Sequence, residues 1–361
     1  MSNHYFYFAS SPFHFFLSSA IAISNPDQKH ILLLIDQYSI EDNPYKELLE
    51  TWTESPFSDF YFSAGHQKSW LKKRDSRKKI FQDIKSLIKK FNPNKLFTGS
   101  DKRLEFQYAA HIQDKARCIY LDEGTYSYIA PSWHQQLSHL LFDTIIKKVL
   151  YGNWYKSTPF TAGSAYIDEV MLAFPEQAHE QLKKKLISPL PSSLFEQPAM
   201  RSLANLFLKN QQLDMQTIRQ WKYVIILPHE SILEDIAIKS SWISLIQTLC
   251  KSSSSIAVKY HPRDLQKDRL NLAHLKQIQL IPQKLVFESM LVGLNQDTVI
   301  IGDFSTALLT MKWLRPESTV LAIMEKVNKN RQFIKFYEHC GIKIKNLEEV
   351  NSIIFPQVQH Q

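Results

Sequence analysis

The 361-residue chain contains little glycine and little cysteine. Its eight glycines form neither a Walker loop nor the Gly-x-Gly-x-x-Gly pattern of dinucleotide-binding proteins, which argues against a glycine-rich phosphate loop. Its three cysteines, Cys118, Cys250 and Cys340, are far apart, odd in number and set among apolar residues. We therefore expect reduced thiols of a cytosolic protein and no disulfide.

Targeting and membrane-spanning patterns are also missing. No basic region precedes the first apolar residues, so no signal peptide is predicted, and the longest apolar stretches are shorter than a membrane span. We expect a soluble or peripheral protein. Histidines and acids do not occur at metal-ligand spacing, so the sequence predicts no metal and no other cofactor.

The composition describes a globular protein with a basic surface. With 44% hydrophobic and 12% aromatic residues the chain can form a packed core, and its length favours two domains. The net charge of +8 is compatible with binding to nucleic acid, to an anionic membrane surface or to an anionic substrate. Basic runs at 72–79, 89–90 and 183–185 are more typical of solvated helix faces. Because no nucleic-acid motif accompanies them, we favour attraction to a membrane.

Apolar strands alternate with helices in both halves of the chain, which predicts an α/β fold with two Rossmann-like domains facing a cleft. The first half has predicted strands at 5–10, 30–36, 60–63, 95–98 and 117–121. The second half has them at 223–227, 255–260, 277–281, 298–302 and 319–323. The domains are expected at 1–185 and 186–361; the resemblance described below implies that the first binds the acceptor and carries the general base and that the second binds the nucleotide. The polar segment 177–220 has the composition of an interdomain connection.

Residues 132–150 have apolar side chains at helical spacing and predict a helix. We interpret these side chains as core and not as a binding groove. They are Trp133, Leu137, Leu140, Leu141, Ile145 and Val149.

An acidic pair, Asp122 and Glu123, follows the strand at 117–121 and precedes Gly124. Glycine allows the chain to turn with positive φ, so both carboxylates would lie at the carboxyl end of a strand, where α/β proteins bind ligands. Two neighbouring carboxylates repel each other, and in a partly dry site one pKa rises toward the range of a general base. The alternative is a solvated acidic turn.

Three features in the second half also suit a ligand. His261 lies between Lys259 and Arg263, and Pro262 forces it into extended geometry, where it could act as general acid beside a phosphate. Ser305 and Thr306 open a helix, where they would cap it or bind an anion. Glu288 lies on the helix at 285–294, either as a surface residue or as an acceptor of hydrogen bonds from a ribose.

These motifs, in this order, resemble those of the bacterial GT-B sialyltransferases, including the lipooligosaccharide sialyltransferases (glycosyltransferase family 52) and the bacterial polysialyltransferases. The shared features are the acidic pair with glycine, the His-Pro motif and the Ser/Thr motif. The opening at 8–13 (Phe-Ala-Ser-Ser-Pro-Phe) resembles that of the lipooligosaccharide enzymes. The resemblance spans most of the chain. Thr306 departs from the serine often found there but keeps the hydroxyl.

The resemblance implies an inverting transferase that moves sialic acid from CMP-sialic acid to a terminal sugar of a lipooligosaccharide or capsule. It makes Glu123 the base, with Asp122 as support or as the alternative base, and His261 the group that protonates the departing phosphate. It also implies the nucleotide-binding residues. They are Lys259 near the cytosine, Pro262, Glu288 on the ribose, and Ser305 and Thr306 on the phosphate. Tyr126, just past the acidic pair, is a candidate acceptor contact.

Other interpretations stay open. A donor carrying Kdo or a polyol phosphate would suit the same motifs, and a non-catalytic partner in polysaccharide assembly would bind no nucleotide. A lipid-linked acceptor would explain the basic surface, with the protein in the cytoplasm or at the cytoplasmic face of the inner membrane. Nucleic acid is not an expected partner.

Overall fold

The structure, a computed structural model, describes residues 3–37, 43–64, 70–130, 144–252, 255–324, 331–346 and 349–350. The chain divides into two compact units, Met1–Ser202 and Leu203–Gln361. Each unit is built on one sheet with helices in the connections.

The first unit has a seven-stranded sheet in the order β3-β2-β1-β4-β5-β6-β7. Its strands are β1 His4–Ala9, β2 Lys29–Gln37, β3 Phe57–Ala64, β4 Lys95–Thr98, β5 Arg117–Leu121, β6 Glu169–Leu172 and β7 Leu186–Pro189. Its helices are α1 Pro12–Ile23, α2 Pro44–Thr51, α3 Trp70–Phe91, α4 Leu104–Ile112 and α5 Thr144–Tyr151.

The second unit has a six-stranded sheet in the order β10-β9-β8-β11-β12-β13. Its strands are β8 Tyr223–Ile226, β9 Ile256–Lys259, β10 Ile278–Ile281, β11 Val299–Gly302, β12 Val320–Ile323 and β13 Lys343–Lys345. Helix α6 Pro198–Asn210 crosses the division between the units. The remaining helices are α7 Met215–Arg219, α8 Ile236–Lys251, α9 Phe287–Leu291, α10 Thr306–Leu314 and α11 Arg331–His339.

Within the described residues, every pairing between strands is parallel. In each sheet the first strand is central and the chain winds outward on both sides of it, which is the doubly wound Rossmann order. The predicted fold class, two Rossmann-like α/β domains, is confirmed for each unit. The near-continuous burial of β1 and β2 agrees with sheets covered on both faces.

The division between the units lies further along the chain than the expected boundary at residue 185. Strand β7 pairs with β6 and completes the first sheet, because its backbone groups satisfy the edge of that strand. The segment 177–220 is therefore more than a connection, since it contains β7, α6 and α7.

Of the helix predicted at 132–150, residues 144–150 are helical and belong to α5, whereas residues 132–143 lie outside the described part of the chain. The prediction that its apolar side chains belong to the core is wrong for Ile145 and Val149, which are 61% and 81% exposed. Ile146 and Leu150 are exposed beside them. Within the described residues no side chain of α5 is buried, so helical spacing predicted the helix correctly but not the burial of its apolar face.

The core of the second unit is formed where α8 packs on the sheet. Trp242, Leu245 and Leu249 of α8 are buried against Ile225 and Val258 of the strands. Of the three cysteines, Cys118 and Cys340 are buried and Cys250 is half-buried. Among the described helices, none is long and apolar enough to span a bilayer.

We predict that Ile225→Ala lowers the free energy of unfolding by about 2–5 kcal/mol, because the fully buried side chain leaves a cavity in β8. Ile236→Ala is the matched control, since Ile236 is 80% exposed, and its effect should stay within about 0.5 kcal/mol. Urea denaturation followed by circular dichroism measures both values. Equal effects of the two substitutions would contradict this arrangement of the core.

Candidate active site

Polar side chains of the first unit gather where three neighbouring strands end. Strands β1, β4 and β5 are adjacent and parallel, with Phe8 beside Thr98 and Thr98 beside Tyr120. The residues that follow these strands therefore lie at one edge of the sheet. They are Ser10 and Ser11 after β1, Gly99 to Asp101 after β4, and Asp122 and Glu123 after β5.

Asp122 is buried and holds the loop after β5 in place. One carboxylate oxygen accepts a hydrogen bond from the Gly124 N–H at 2.8 Å, and the other accepts one from the Ala173 N–H at 3.0 Å and one from the Tyr128 hydroxyl. Burial raises the pKa of the Asp122 carboxyl, while these hydrogen bonds act to lower it. Both oxygens are used by the protein, so the carboxylate of Asp122 holds the turn at Gly124 in place.

Glu123, by contrast, is exposed, so its carboxyl can meet a substrate. Desolvation by the surrounding protein raises its pKa to about 7, with a further contribution from the Asp101 carboxylate. Lys102 and Arg103 act in the opposite direction. Because the carboxyl is exposed, water screens its interactions with these charged neighbours. A carboxyl with a raised pKa is suited to general-base chemistry near neutral pH.

Gly124 has φ +101°, as predicted from its place at the end of the strand. A residue with a Cβ rarely adopts that conformation, so glycine is required for the turn that separates the buried Asp122 from the exposed Glu123. The following residues form a short 3₁₀ helix, Thr125–Ser127. Tyr126 lies on it with 69% of its side chain exposed; its contact with an acceptor stays a prediction.

His14, which the sequence analysis did not single out, is buried at the same edge. Its Nδ1 lies 3.2 Å from the Ser10 hydroxyl. Its ring fills the space beside Gly99, where a Cβ would come within 2.1 Å of the imidazole. Burial, with help from Arg103, lowers the pKa of His14 to about 4, so the ring is neutral at neutral pH.

Asp101 is a second buried carboxylate that the sequence analysis missed. Its two oxygens accept hydrogen bonds from the N–H groups of Ala162 at 3.2 Å and Ser164 at 2.8 Å. Burial raises its pKa to about 6. The rule that found Asp122 and Glu123 would also have found it, because a glycine and polar residues directly follow the predicted strand at 95–98.

In the second unit the predicted motifs also lie at the carboxyl edge of the sheet. His261 follows β9, and Ser305 and Thr306 follow β11. Between β9 and β11 lies β8, whose own loop begins at residue 227. The structure thus places the His-Pro motif and the Ser/Thr motif on either side of the loop after β8.

The tautomer of His261 follows from its backbone contact. Nδ1 accepts a hydrogen bond from the Arg263 N–H at 3.2 Å, so in the neutral ring the proton is on Nε2. Burial lowers the pKa of His261, and the Asp264 carboxylate works against that shift. His261 is therefore half-buried with an N–H donor at Nε2, while Pro262 beside it is exposed.

Lys259 is buried, and its ammonium donates hydrogen bonds to three carbonyl oxygens in the segment before α9. They belong to Pro282 at 3.2 Å, Gln283 at 3.2 Å and Leu285 at 3.0 Å. Burial lowers its pKa to about 8. All three donors are used, so the structure assigns Lys259 to holding this segment; the expected proximity to cytosine stays a prediction.

Glu288 lies in the first turn of α9, just beyond that segment. Burial raises its pKa to about 7, and the Lys259 ammonium acts in the opposite direction. The two residues that the sequence pointed to separately are thus electrostatically coupled. Glu288 is half-buried, which leaves its carboxyl able to accept a hydrogen bond from a ligand.

Ser305 is the N-cap of α10, and Thr306 is the first residue of that helix. The Ser305 hydroxyl makes no capping bond and is buried with no hydrogen-bond partner among the described residues. A helix start offers free N–H groups and the positive end of the helix dipole. An unpartnered hydroxyl at this place is the expected feature of an anion site.

The loop after β8 brings a further histidine to this edge. The ring of His229 lies 4.9 Å from that of His261, centroid to centroid, at 77°. Each of His229, His261 and Asp264 offers a nitrogen or oxygen atom within 4.8 Å of the others, a grouping of the kind that can hold a metal ion. Residues 229 and 261 are far apart in the sequence and meet through the pairing of β8 with β9, so the sequence predicted no such cluster.

Comparison with known proteins gives one family and a set of similar structures. The profile of the family described as Alpha-2,8-polysialyltransferase (POLYST) matches residues 6–324. A search of curated proteins found no match.

Among solved structures, the α/β-galactoside α-2,3-sialyltransferase of Photobacterium phosphoreum is similar with a TM-score of 0.59 and 12% identity over 97% of this chain and 100% of that one. The GT-B domain of the Photobacterium damselae sialyltransferase has a TM-score of 0.57 and 11% identity, covering 96% and 98%. A UDP-GlcNAc 2-epimerase of Methanocaldococcus jannaschii has a TM-score of 0.54 and 11% identity, covering 100% and 94%. Because the sequence identities are this low, the similarity shows that these proteins and this chain share a fold.

We predict that the two neighbouring acids respond differently to the loss of charge. Asp122→Asn turns an amide N–H toward the Ala173 N–H or the Gly124 N–H, which leaves a buried donor unpaired and should cost about 1–3 kcal/mol of unfolding free energy. Glu123→Gln changes an exposed group and should stay within about 0.5 kcal/mol. Urea denaturation of both variants tests this, and a larger loss for Glu123→Gln would refute the assignment of positions.

Proposed function

The chain belongs to the alpha-2,8-polysialyltransferase family, and from this membership we propose that it is an inverting sialyltransferase that uses CMP-sialic acid. The observation that carries the proposal is that each unit has a site of a different kind. The first unit has an exposed carboxyl with a raised pKa, Glu123, at the end of β5. The second unit has a set of hydrogen-bond donors for an anion at the ends of β9 and β11, where His261, Ser305 and Thr306 lie.

The general base in this proposal is Glu123. It takes the proton from the acceptor hydroxyl while that oxygen attacks the anomeric carbon, so the single displacement inverts the configuration. Asp122 holds the turn at Gly124 and thereby positions Glu123. Its own oxygens are occupied by hydrogen bonds from the protein, which supports Glu123 over Asp122 as the base.

The leaving group is the phosphate of CMP, on which negative charge develops as the glycosidic bond breaks. His261 donates its Nε2–H to that phosphate, and the hydroxyls of Ser305 and Thr306 bind it at the start of α10. These hydrogen-bond donors stabilise the transition state more than the bound CMP-sialic acid, because the negative charge on the phosphate grows as the bond breaks.

The nucleoside is proposed to lie beside α9. Glu288 accepts hydrogen bonds from the ribose hydroxyls, and Lys259 fixes the segment that carries it. Pro262, exposed beside His261, contacts the nucleotide. No cofactor besides the donor substrate is proposed.

The acceptor is proposed to be the terminal sugar of a bacterial surface glycan, a lipooligosaccharide or a capsule, with Tyr126 as a contact. The family name favours a terminal sialic acid in α-2,8 linkage, whereas a similar structure is named for α-2,3 transfer to galactosides. A donor carrying Kdo or a polyol phosphate is the alternative within the enzyme class.

We further propose that the glycan is lipid-linked and that the protein works at the cytoplasmic face of the inner membrane. The support is the net charge of +8 together with the exposed apolar face of α5. Ile145, Ile146 and Val149 of that helix are exposed, and so is Lys148 among them. An apolar face bordered by a cation suits the surface of an anionic bilayer.

We predict that the wild type releases CMP from CMP-sialic acid only when an acceptor is present, and that Glu123→Gln and His261→Ala each reduce kcat/KM by about 100- to 10,000-fold. Since the base acts when deprotonated, wild-type kcat/KM should be low below and high above a midpoint of about pH 7, the pKa of Glu123. Glu123→Gln should lack this limb. Steady-state rates from acid to alkaline pH measure it.

The acceptors for this assay are an α-2,8-linked oligosialic acid and a galactoside, with CMP-Kdo as a second donor. Product length separates single from repeated transfer. Thermal melts of each variant show whether it is folded. A wild type that neither releases CMP nor is stabilised by it would refute the proposed donor.

We predict that Val149→Asp weakens binding to vesicles containing anionic phospholipid by about tenfold, because it places a charge on the apolar face of α5. Ile236→Asp is the matched control, since Ile236 is equally exposed but lies in the second unit. Vesicle sedimentation at low and high salt measures the effect. Equal binding by the two variants would refute the role of α5.

A further inference from the structure

His229 has no part in the function proposed above, yet it lies in the middle of the phosphate-binding edge. It follows β8, the central strand, which pairs with β9 on one side and β11 on the other. The loops after those two strands carry His261 and Ser305. A residue in the loop between them is in a position to reach a ligand that both loops bind.

The loops of His229 and His261 are tied to each other. The carboxylate of Asp264, on the second loop, accepts a hydrogen bond from the Glu230 N–H of the first at 3.0 Å. In return, Glu230 accepts one from the Leu265 N–H at 3.1 Å. These reciprocal bonds fix the edge-to-face contact of the two imidazole rings.

Each of the two histidines has an N–H donor at Nε2 in place of a lone pair. Nδ1 of His229 accepts the Ser231 N–H at 3.2 Å and lies 2.9 Å from the Ser231 hydroxyl, which can donate to the same nitrogen. Nδ1 of His261 likewise accepts the Arg263 N–H at 3.2 Å. In each neutral ring the remaining nitrogen, Nε2, therefore carries the proton. Two N–H donors on adjoining rings are complementary to an anion, whereas a metal ion would require breaking both backbone contacts.

Asp264 is a second feature that points to a ligand site. It is 7% exposed, and its Oδ2 is buried with no hydrogen-bond partner among the described residues. Its carboxylate favours the charged form of His261. Asp264 therefore binds the loop of His229 through the Glu230 N–H and lies close to both rings.

We propose that His229 is a phosphate-binding residue that donates its Nε2–H, together with His261, to the phosphate of the nucleotide. This inference rests on the proposed function for the identity of the nucleotide. The two imidazoles would bind different oxygens of one phosphate, and Ser305 and Thr306 would bind it from the other side of the β8 loop. His229 would thereby stabilise the departing CMP.

The test compares two substitutions that separate the two ring nitrogens. His229→Asn keeps an acceptor at the place of Nδ1, for the Ser231 N–H, and removes the donor at Nε2. His229→Gln places an amide N–H at the position of Nε2. Calorimetric titration with CMP and with cytidine, which lacks the phosphate, shows whether the effect belongs to the phosphate.

We expect His229→Asn to raise the Kd for CMP about tenfold, the effect of one hydrogen bond to a charged group, and to leave the Kd for cytidine unchanged. His229→Gln should remain close to the wild type. Equal losses for CMP and cytidine, or no loss for CMP, would overturn the proposal. Either result leaves the proposed sialyltransferase intact if the wild type still binds CMP.

Two further outcomes separate this inference from the function. If the wild type binds UMP in preference to CMP, the proposed donor is refuted, but comparing the Kd for UMP with that for uridine still tests the role of His229. If the wild type binds no nucleotide, both the proposed function and this inference are overturned.

Titration with Zn²⁺ alone tests whether the cluster binds a metal ion instead of an anion. Stoichiometric Zn²⁺ binding that His229→Asn and Asp264→Asn both abolish, with unchanged CMP affinity, would assign the cluster to a metal and overturn the proposal.

Discussion

The parallel pairing of the strands is the constraint on which the rest of this protein depends. Parallel strands end at the same edge of a sheet, so the residues that follow them become neighbours there even when they are far apart in the chain. In the first sheet this edge gathers His14, Asp101 and Glu123. In the second it gathers His229, His261 and Ser305. Both candidate sites described above are consequences of that arrangement.

Buried polar groups hold these edges in shape. Asp122, Asp101 and Asp264 each accept hydrogen bonds from backbone N–H groups of another loop, and Lys259 donates to three carbonyls. Burying a polar group costs free energy that such hydrogen bonds offset, so each of these bonds fixes the geometry of a loop. The exposed or half-buried residues next to them, above all Glu123, are then free to meet a substrate.

The sequence was a poor guide where an element depends on a distant partner. Strand β7 looked like part of a polar connection, because its residues are half exposed and its place is decided by the edge of β6. Helix α5 has the spacing of a core helix, yet Ile145 and Val149 face solvent. Periodicity reports that a helix has an apolar face, but it cannot report what covers that face.

Much of the protein was nevertheless determined by local sequence. The alternation of apolar strands and helices predicted both Rossmann-like units, and the glycine at 124 predicted a turn that its φ of +101° confirms. Only the tertiary structure decided that Asp122 is buried while Glu123 is exposed, and that His229 meets His261. The reason is physical: propensity and turn chemistry act over a few residues, whereas burial and the meeting of loops depend on which strands pair.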